Sequence, residues 1–249
     1  MKKDSLGDRM KNNYENIWKT KLPMRMPVII RLDGRAFHTL TKKCIKPFDP
    51  IFIEVMQNTT NWLCNSIQGA ELAYTQSDEI SILLHNYKKL ESQAWFDNEI
   101  QKIVSISAAS ASAYFSTIYN SYQHSQFPEK IHDFKVITFD SRVFVLPENE
   151  VCNYFIWRQQ DWERNSIQML AQSLYSSKQL HKKNKIELGK MCYDKGKDWN
   201  ELEPHLRRGT CCVKEKEKWI IDNDIPLFTT EREYIEKRLE VEINSKKID

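Results

Sequence analysis

The chain has 249 residues, 41% hydrophobic and 29% charged, a globular composition that excludes a chain dominated by disorder. Its formal net charge of +3 is uneven, because residues 1–47 carry twelve Lys/Arg against four Asp/Glu and leave the remainder acidic. No apolar run approaches the ~20 residues of a membrane span, and "MKKDSLGDRMKNNYENIW" lacks the apolar core of a signal peptide, so a cytoplasmic protein without membrane contact is expected.

In chain order, the β-rich run at residues 28–32 of "MPVIIRLDGRAF" predicts a strand that breaks into a turn at Asp33-Gly34. "FDPIFIEVMQNTTNWLCNSI" predicts a helix with Asp49 as N-cap and Pro50 at its first position. Phe52, Val55, Met56, Leu63 and Ile67 fall on one face of it. Residues 72–75 and 80–84 predict two short strands joined as a hairpin near Ser77, Asp78 and Glu79. Residues 99–119, rich in Ala and Ser, predict a helix able to lie close on a sheet. "FKVITFDSRVFVLP" predicts a strand pair or one long bulged strand, closed by Pro147.

This order is βαββαβ, the ferredoxin-like α+β arrangement. Its first and third strands are antiparallel neighbours, so Asp33 is expected to meet Asp78 and Glu79 at one edge of the sheet. From about residue 151 a long aromatic helix and then a basic, Gly-punctuated stretch predict a second, mostly helical lobe. Residues 181–218 hold 11 Lys/Arg against 7 Asp/Glu, with a short strand expected around "GTCCVKEK". The expected division is therefore 1–150 and 151–249.

Two Asp at a sheet edge with a Glu beside one of them suit a pair of Mg²⁺ ions; an acidic surface turn without a role is the alternative. Gly34 is a candidate carbonyl ligand, since a residue without a side chain lets backbone approach an ion. After the Asp-Gly turn, the N–H groups of Gly34, Arg35, Ala36 and Phe37 could form a nest for phosphate oxygens, with Arg35, Lys42, Lys43 and Lys46 adding charge. His38 is either a phosphate donor or a polar residue packed behind the turn. The six Cys form no CxxC pair and the six His never pair at i,i+4, so reduced thiols are expected rather than zinc or disulfides. No Walker A and no GxSxG motif occurs.

"RLDGRAFH", "KPFD", "AYTQSDEISILL", "FDSRVFVLP" and "WRQQDW", with "KKNKIEL" and "RRGT" further on, resemble the tRNA(His) guanylyltransferase family over roughly residues 5–215. The resemblance implies a polymerase-like palm domain, also shared with nucleotide cyclases, that adds nucleotides to the 5′ end of tRNA. It implies that Asp33 and Asp78 hold two Mg²⁺ with help from the Gly34 carbonyl, and that Glu79 supports the site. It further implies an ATP or GTP site along Asp33, Gly34, Arg35, Ala36, Phe37, His38, Ser77 and Asp78, with Lys46 near the reactive phosphates and Lys183 and Arg208 as further phosphate contacts. A C-terminal lobe that contacts tRNA and a homotetrameric assembly are also implied.

The chain departs from the family at one place. Members that add an unpaired guanosine carry His-Ile-Asn-Asn after the WRQ-x-D motif, where this sequence has Glu163, Arg164, Asn165 and Ser166. It is therefore similar to the branch that repairs truncated 5′ ends on a template. Non-templated guanosine addition, a nucleotide cyclase and a tRNA-binding protein without chemistry are the alternatives.

Overall fold

The computed structural model describes residues 5–128 and 134–241. Its sheet has six antiparallel strands: β1 Val28–Gly34, β2 Ala70–Gln76, β3 Glu79–Leu84, β4 Phe139–Val145, β5 Thr210–Glu215 and β6 Lys218–Asp222, in the order β4-β1-β3-β2-β5-β6. The first four in space are the expected ferredoxin-like set. Strand alternation divides the core in two. Val28, Ile30 and Leu32 join a cluster with α1 (Pro50–Ser66) and α2 (Ile100–Gln126), whereas Ile29 joins a second cluster with α3 (Glu148–Leu174).

The helices form where the sequence places them, for identifiable reasons. Asp49 caps α1 by accepting from the Phe52 N–H at 2.9 Å, Pro50 opens the helix, and Phe52, Val55, Met56 and Leu63 are buried. The serines of α2 do more than reduce bulk. Ser112 Oγ accepts from the Phe139 N–H at 2.9 Å, Ser116 Oγ bonds both N–H and C=O of Ile137 at 3.0 Å, and Ser107 meets Ser141 at 2.8 Å. They thus satisfy backbone polar groups leading into edge strand β4, which would otherwise be buried without partners. β4 is one strand, preceded by an irregular stretch at 134–138.

Two differences from the sequence expectation bear on the site. Asp33 and Gly34 lie inside β1 rather than in a turn after it, with Asp33 opposite Glu79 on one side and Asp140 on the other. β5 and β6 come from the expected second lobe but extend the palm sheet beside β2, so the sheet crosses the division at residue 150. The helical part of that lobe is a third cluster in which Ile167, Leu170 and Ala171 of α3 pack on Leu188 and Cys192 of α4 (Lys185–Asp194) and on Trp199. No helix among the described residues is long and apolar enough to cross a membrane.

Candidate active site

The two aspartates meet at the end of β1 and the turn of the β2–β3 hairpin. The Gly34 N–H donates to the Asp78 carbonyl at 2.9 Å, which fixes the end of β1 against the two-residue turn Ser77-Asp78. Ser77 has φ +49°, a left-handed value uncommon for a residue with a side chain. Burial, and to a lesser degree the charge of Asp33, pushes the Asp78 carboxyl above the usual carboxylate range. Among the described residues no three His, Cys, Asp or Glu side chains gather as a metal cluster. The candidate acidic donors are the pair Asp33 and Asp78, to which the Gly34 carbonyl would add a third oxygen. This hard, oxygen-only set fits Mg²⁺, and a cation between the carboxylates would relieve the burden that raises Asp78.

Glu79 is placed quite differently from its neighbour. It is 4% exposed, and its Oε2 accepts from Arg31 Nη2 at 2.7 Å and Arg158 Nη1 at 2.8 Å. Ser81 Oγ lies 3.4 Å from its Oε1 and 2.7 Å from the Tyr154 hydroxyl. Burial works against the Arg31 charge, but Glu79 and, more weakly, Asp33 overcome it and raise the Arg31 pKa. Glu79 thus ties β1, β3 and α3 together at the register position opposite Asp33. Arg31 and Arg158 were missed in the sequence. An arginine interrupting the apolar run of β1, two residues before Asp33 and hence on its face, was the available signal for Arg31.

Beside the hairpin turn lies a cavity of about 360 Å³, the size of small-molecule sites. Of the predicted residues, Phe37, His38, Lys46, Ser77 and Asp78 line it. Its other walls include the start of α1, Trp162 and Met169 of α3, and His205, Leu206, Gly209 and Thr210. Gln57 of α1 donates to Thr210 Oγ1 at 3.0 Å and Asn223 Oδ1 at 2.8 Å, closing one side. Lys46 Nζ donates to the Thr41 carbonyl at 2.8 Å and so is held near this wall.

Other predicted residues stand elsewhere or are otherwise engaged. The Gly34 and Arg35 N–H groups donate to Asp78 and Thr138 carbonyls at 2.9 Å, so the expected nest begins only at Ala36, in the left-handed region at φ +59°. Gly34 is glycine for a packing reason: an added Cβ would lie 2.3 Å from the Phe37 ring. Lys183 pairs with Glu187 at 2.8 Å, and Arg208 Nη1 donates to the Ile225 carbonyl at 3.1 Å; neither lines the cavity.

The palm topology, the aspartate pair and the adjoining cavity agree with three comparisons. A family model described as tRNAHis guanylyltransferase matches residues 7–147, more than half of the chain. A bacterial tRNA(His) guanylyltransferase-like protein in complex with ATP superposes with a TM-score of 0.86 and 47% identity, over 94% of this chain and 99% of that one. A structure of such a bacterial protein in complex with GTP gives 0.78 and 43% over the same shares. The tRNA(His) guanylyltransferase of Debaryomyces hansenii is 33% identical over 144 residues, 56% of this chain and 51% of that protein. Sequence, sheet order and site therefore converge, and the chain belongs to the tRNAHis guanylyltransferase family of nucleotidyltransferases.

Proposed function

We propose that the protein adds nucleotides in the 3′–5′ direction to the 5′ end of truncated tRNA, with the opposing strand of the acceptor stem as template. One observation carries this reading: Asp33 and Asp78 are pinned together by the Gly34–Asp78 hydrogen bond, and Asp78 also lines a cavity of nucleotide size. The ATP and GTP complexes of the bacterial relatives support nucleoside triphosphates as the occupants.

In the first step a 5′-monophosphate oxygen of the tRNA attacks the α-phosphorus of ATP or GTP, and pyrophosphate leaves. The 3′-hydroxyl of the incoming nucleoside triphosphate then attacks the activated 5′ phosphorus and displaces the nucleoside monophosphate. Asp33, Asp78 and the Gly34 carbonyl would hold two Mg²⁺, which when bound lower the pKa of a hydroxyl and neutralise charge on a transferring phosphoryl group. Ser77, His38 and Lys46 line the cavity and would donate to triphosphate oxygens. Glu79, locked by its two arginines, keeps the hairpin turn in register with Asp33. No side-chain nucleophile is needed.

The templated branch is favoured by the residues at 163–166. Glu163 receives Lys185 at 2.7 Å and Ser166 receives the Trp199 indole N–H at 3.0 Å, so this stretch is occupied in holding the third cluster together. Assembly as a homotetramer in the cytoplasm completes the reading. The test incubates purified protein with labelled 5′-truncated tRNA, Mg²⁺ and each nucleoside triphosphate while the opposing base is varied. Products that follow the template base support the proposal; guanosine regardless of template, or a cyclic nucleotide, overturns it.

A further inference from the structure

Trp157 is 47% exposed although its neighbours Arg158 and Gln159 are buried. Its indole is nevertheless held. The Arg158 Cζ lies 3.6 Å from the ring centroid, the Arg31 Cζ 5.5 Å, and Tyr154 meets it edge-on at 5.9 Å. Both guanidiniums donate to the same oxygen, Glu79 Oε2, and so reach the indole from the Glu79 side.

The indole belongs to the neighbourhood of the aspartates. Arg31 and Asp33 share a face of β1 by alternation, and the register sets Arg142 opposite Arg31. The Arg142 side chain is 53% exposed at this edge. Neither Trp157, Arg31 nor Asp33 lines the cavity described above. The aspartate pair thus adjoins the cavity and, by way of Arg31, a half-exposed indole backed by two cations. A reaction that joins two nucleotides has two bases to hold, and the cavity accommodates one of them. A tryptophan already in contact with two guanidiniums and a tyrosine ring has less side-chain freedom to lose when a base stacks on it.

The geometry points to a second base-binding place in which Trp157, backed by Arg31 and Arg158, stacks the nucleobase of a nucleotide reacting at Asp33. That base belongs either to the 5′-terminal nucleotide of the tRNA or to the incoming nucleoside triphosphate. The inference rests on the polymerising reading of the aspartate site and adds a ligand contact to it.

The test uses the full chain and Trp157→Leu, which keeps apolar bulk over Arg158 without a π-face. Two quantities are read: the ratio of Kd values for tRNA with a normal and with an abasic 5′ nucleotide, and KM for the incoming nucleotide at saturating tRNA. If the tRNA end stacks, wild type prefers the base-bearing end by about ten-fold and Trp157→Leu loses that preference. If the incoming base stacks, KM rises by about ten-fold instead. Trp157→Phe, still flat and aromatic, retains most of either effect. The inference is overturned if Trp157→Leu stays within about two-fold of wild type in both quantities, since stacking on an aromatic contributes more than that. It is also overturned if Trp157→Phe falls as far as leucine, which marks a packing role. Should the leucine variant fail to fold, Trp157→Phe and Trp157→His, compared by the same two measurements, grade the π-face in its place. Loss of activity in Asp33→Ala with an unaffected Trp157→Leu sinks this inference alone, whereas an active Asp33→Ala sinks the polymerising reading beneath it.

Discussion

Asp78 and Glu79 are adjacent in the chain and have opposite fates. Asp78 sits partly buried in the hairpin turn, its charge opposed by burial and by Asp33. Glu79 begins β3 and is enclosed between Arg31 and Arg158. A motif that reads as one acidic unit is divided by the first residue of a strand into a group free for ligands and a group committed to architecture. Substitutions at the two positions should therefore separate activity from stability.

The largest expected effect is on rate. Asp33→Asn or Asp78→Asn should lower 5′-end addition, measured with saturating Mg²⁺, by about 10³-fold or more without lowering the unfolding midpoint. Retention of most activity by either variant would falsify the metal assignment. Glu79→Ala should do the reverse in kind. It leaves Arg158, 3% exposed, with only Asp161 at 3.4 Å as a carboxylate partner, and since breaking a buried pair from one side costs up to about 3–5 kcal/mol, the thermal midpoint should fall. If Glu79→Ala were as stable as wild type but inactive, Glu79 would belong with Asp78 after all.

Gly34→Ala should cost about 1–3 kcal/mol through collision with the Phe37 ring, and adding Phe37→Leu should recover part of that in denaturant unfolding. A smaller effect follows from titration. Because the native Asp78 carboxyl binds its proton more readily than in the unfolded chain, the native state holds more protons in the window between the two pKa values. Without divalent cations, stability should fall as pH rises through that window. Asp78→Asn should therefore unfold at a higher temperature than wild type at neutral pH, with the gain shrinking as the pH is lowered through it. The smallest effect is expected at Lys183, an exposed i,i+4 partner of Glu187. Lys183→Ala should change stability by no more than about 0.5 kcal/mol and leave KM for nucleoside triphosphates within about two-fold.

Local signals carried much of the architecture. The Asp49 cap with Pro50, the alternation of β1 and the spacing of the hairpin each depend on a few consecutive residues, and together they placed Asp33 beside Asp78. What was not legible depended on distant pairing. Nothing local in "GTCCVKEK" says that Cys212 lies opposite Ala73, so the strand was visible and its place in the sheet was not. The Arg31–Glu79–Arg158 knot likewise joins three elements, and Arg158 reads in sequence as one more charge on an amphipathic helix. The expected phosphate nest was too long because strand pairing beyond Asp33 claims two of its amides. Gly34 was read as a backbone ligand, and only the packed Phe37 ring reveals its steric necessity.

The cavity walls come from residues 37–57, 75–78, 162–172 and 205–210. The Tyr74 hydroxyl closes the arrangement by donating to the Arg208 carbonyl at 2.8 Å, and Gly209, at φ +84°, leaves room for that ring. During synthesis the first five-sixths of the chain can emerge and form helices and hairpin without possessing this cavity. A fragment ending before His205 would then lack one wall of the pocket proposed to hold a nucleotide, so that pocket would be complete only late in synthesis.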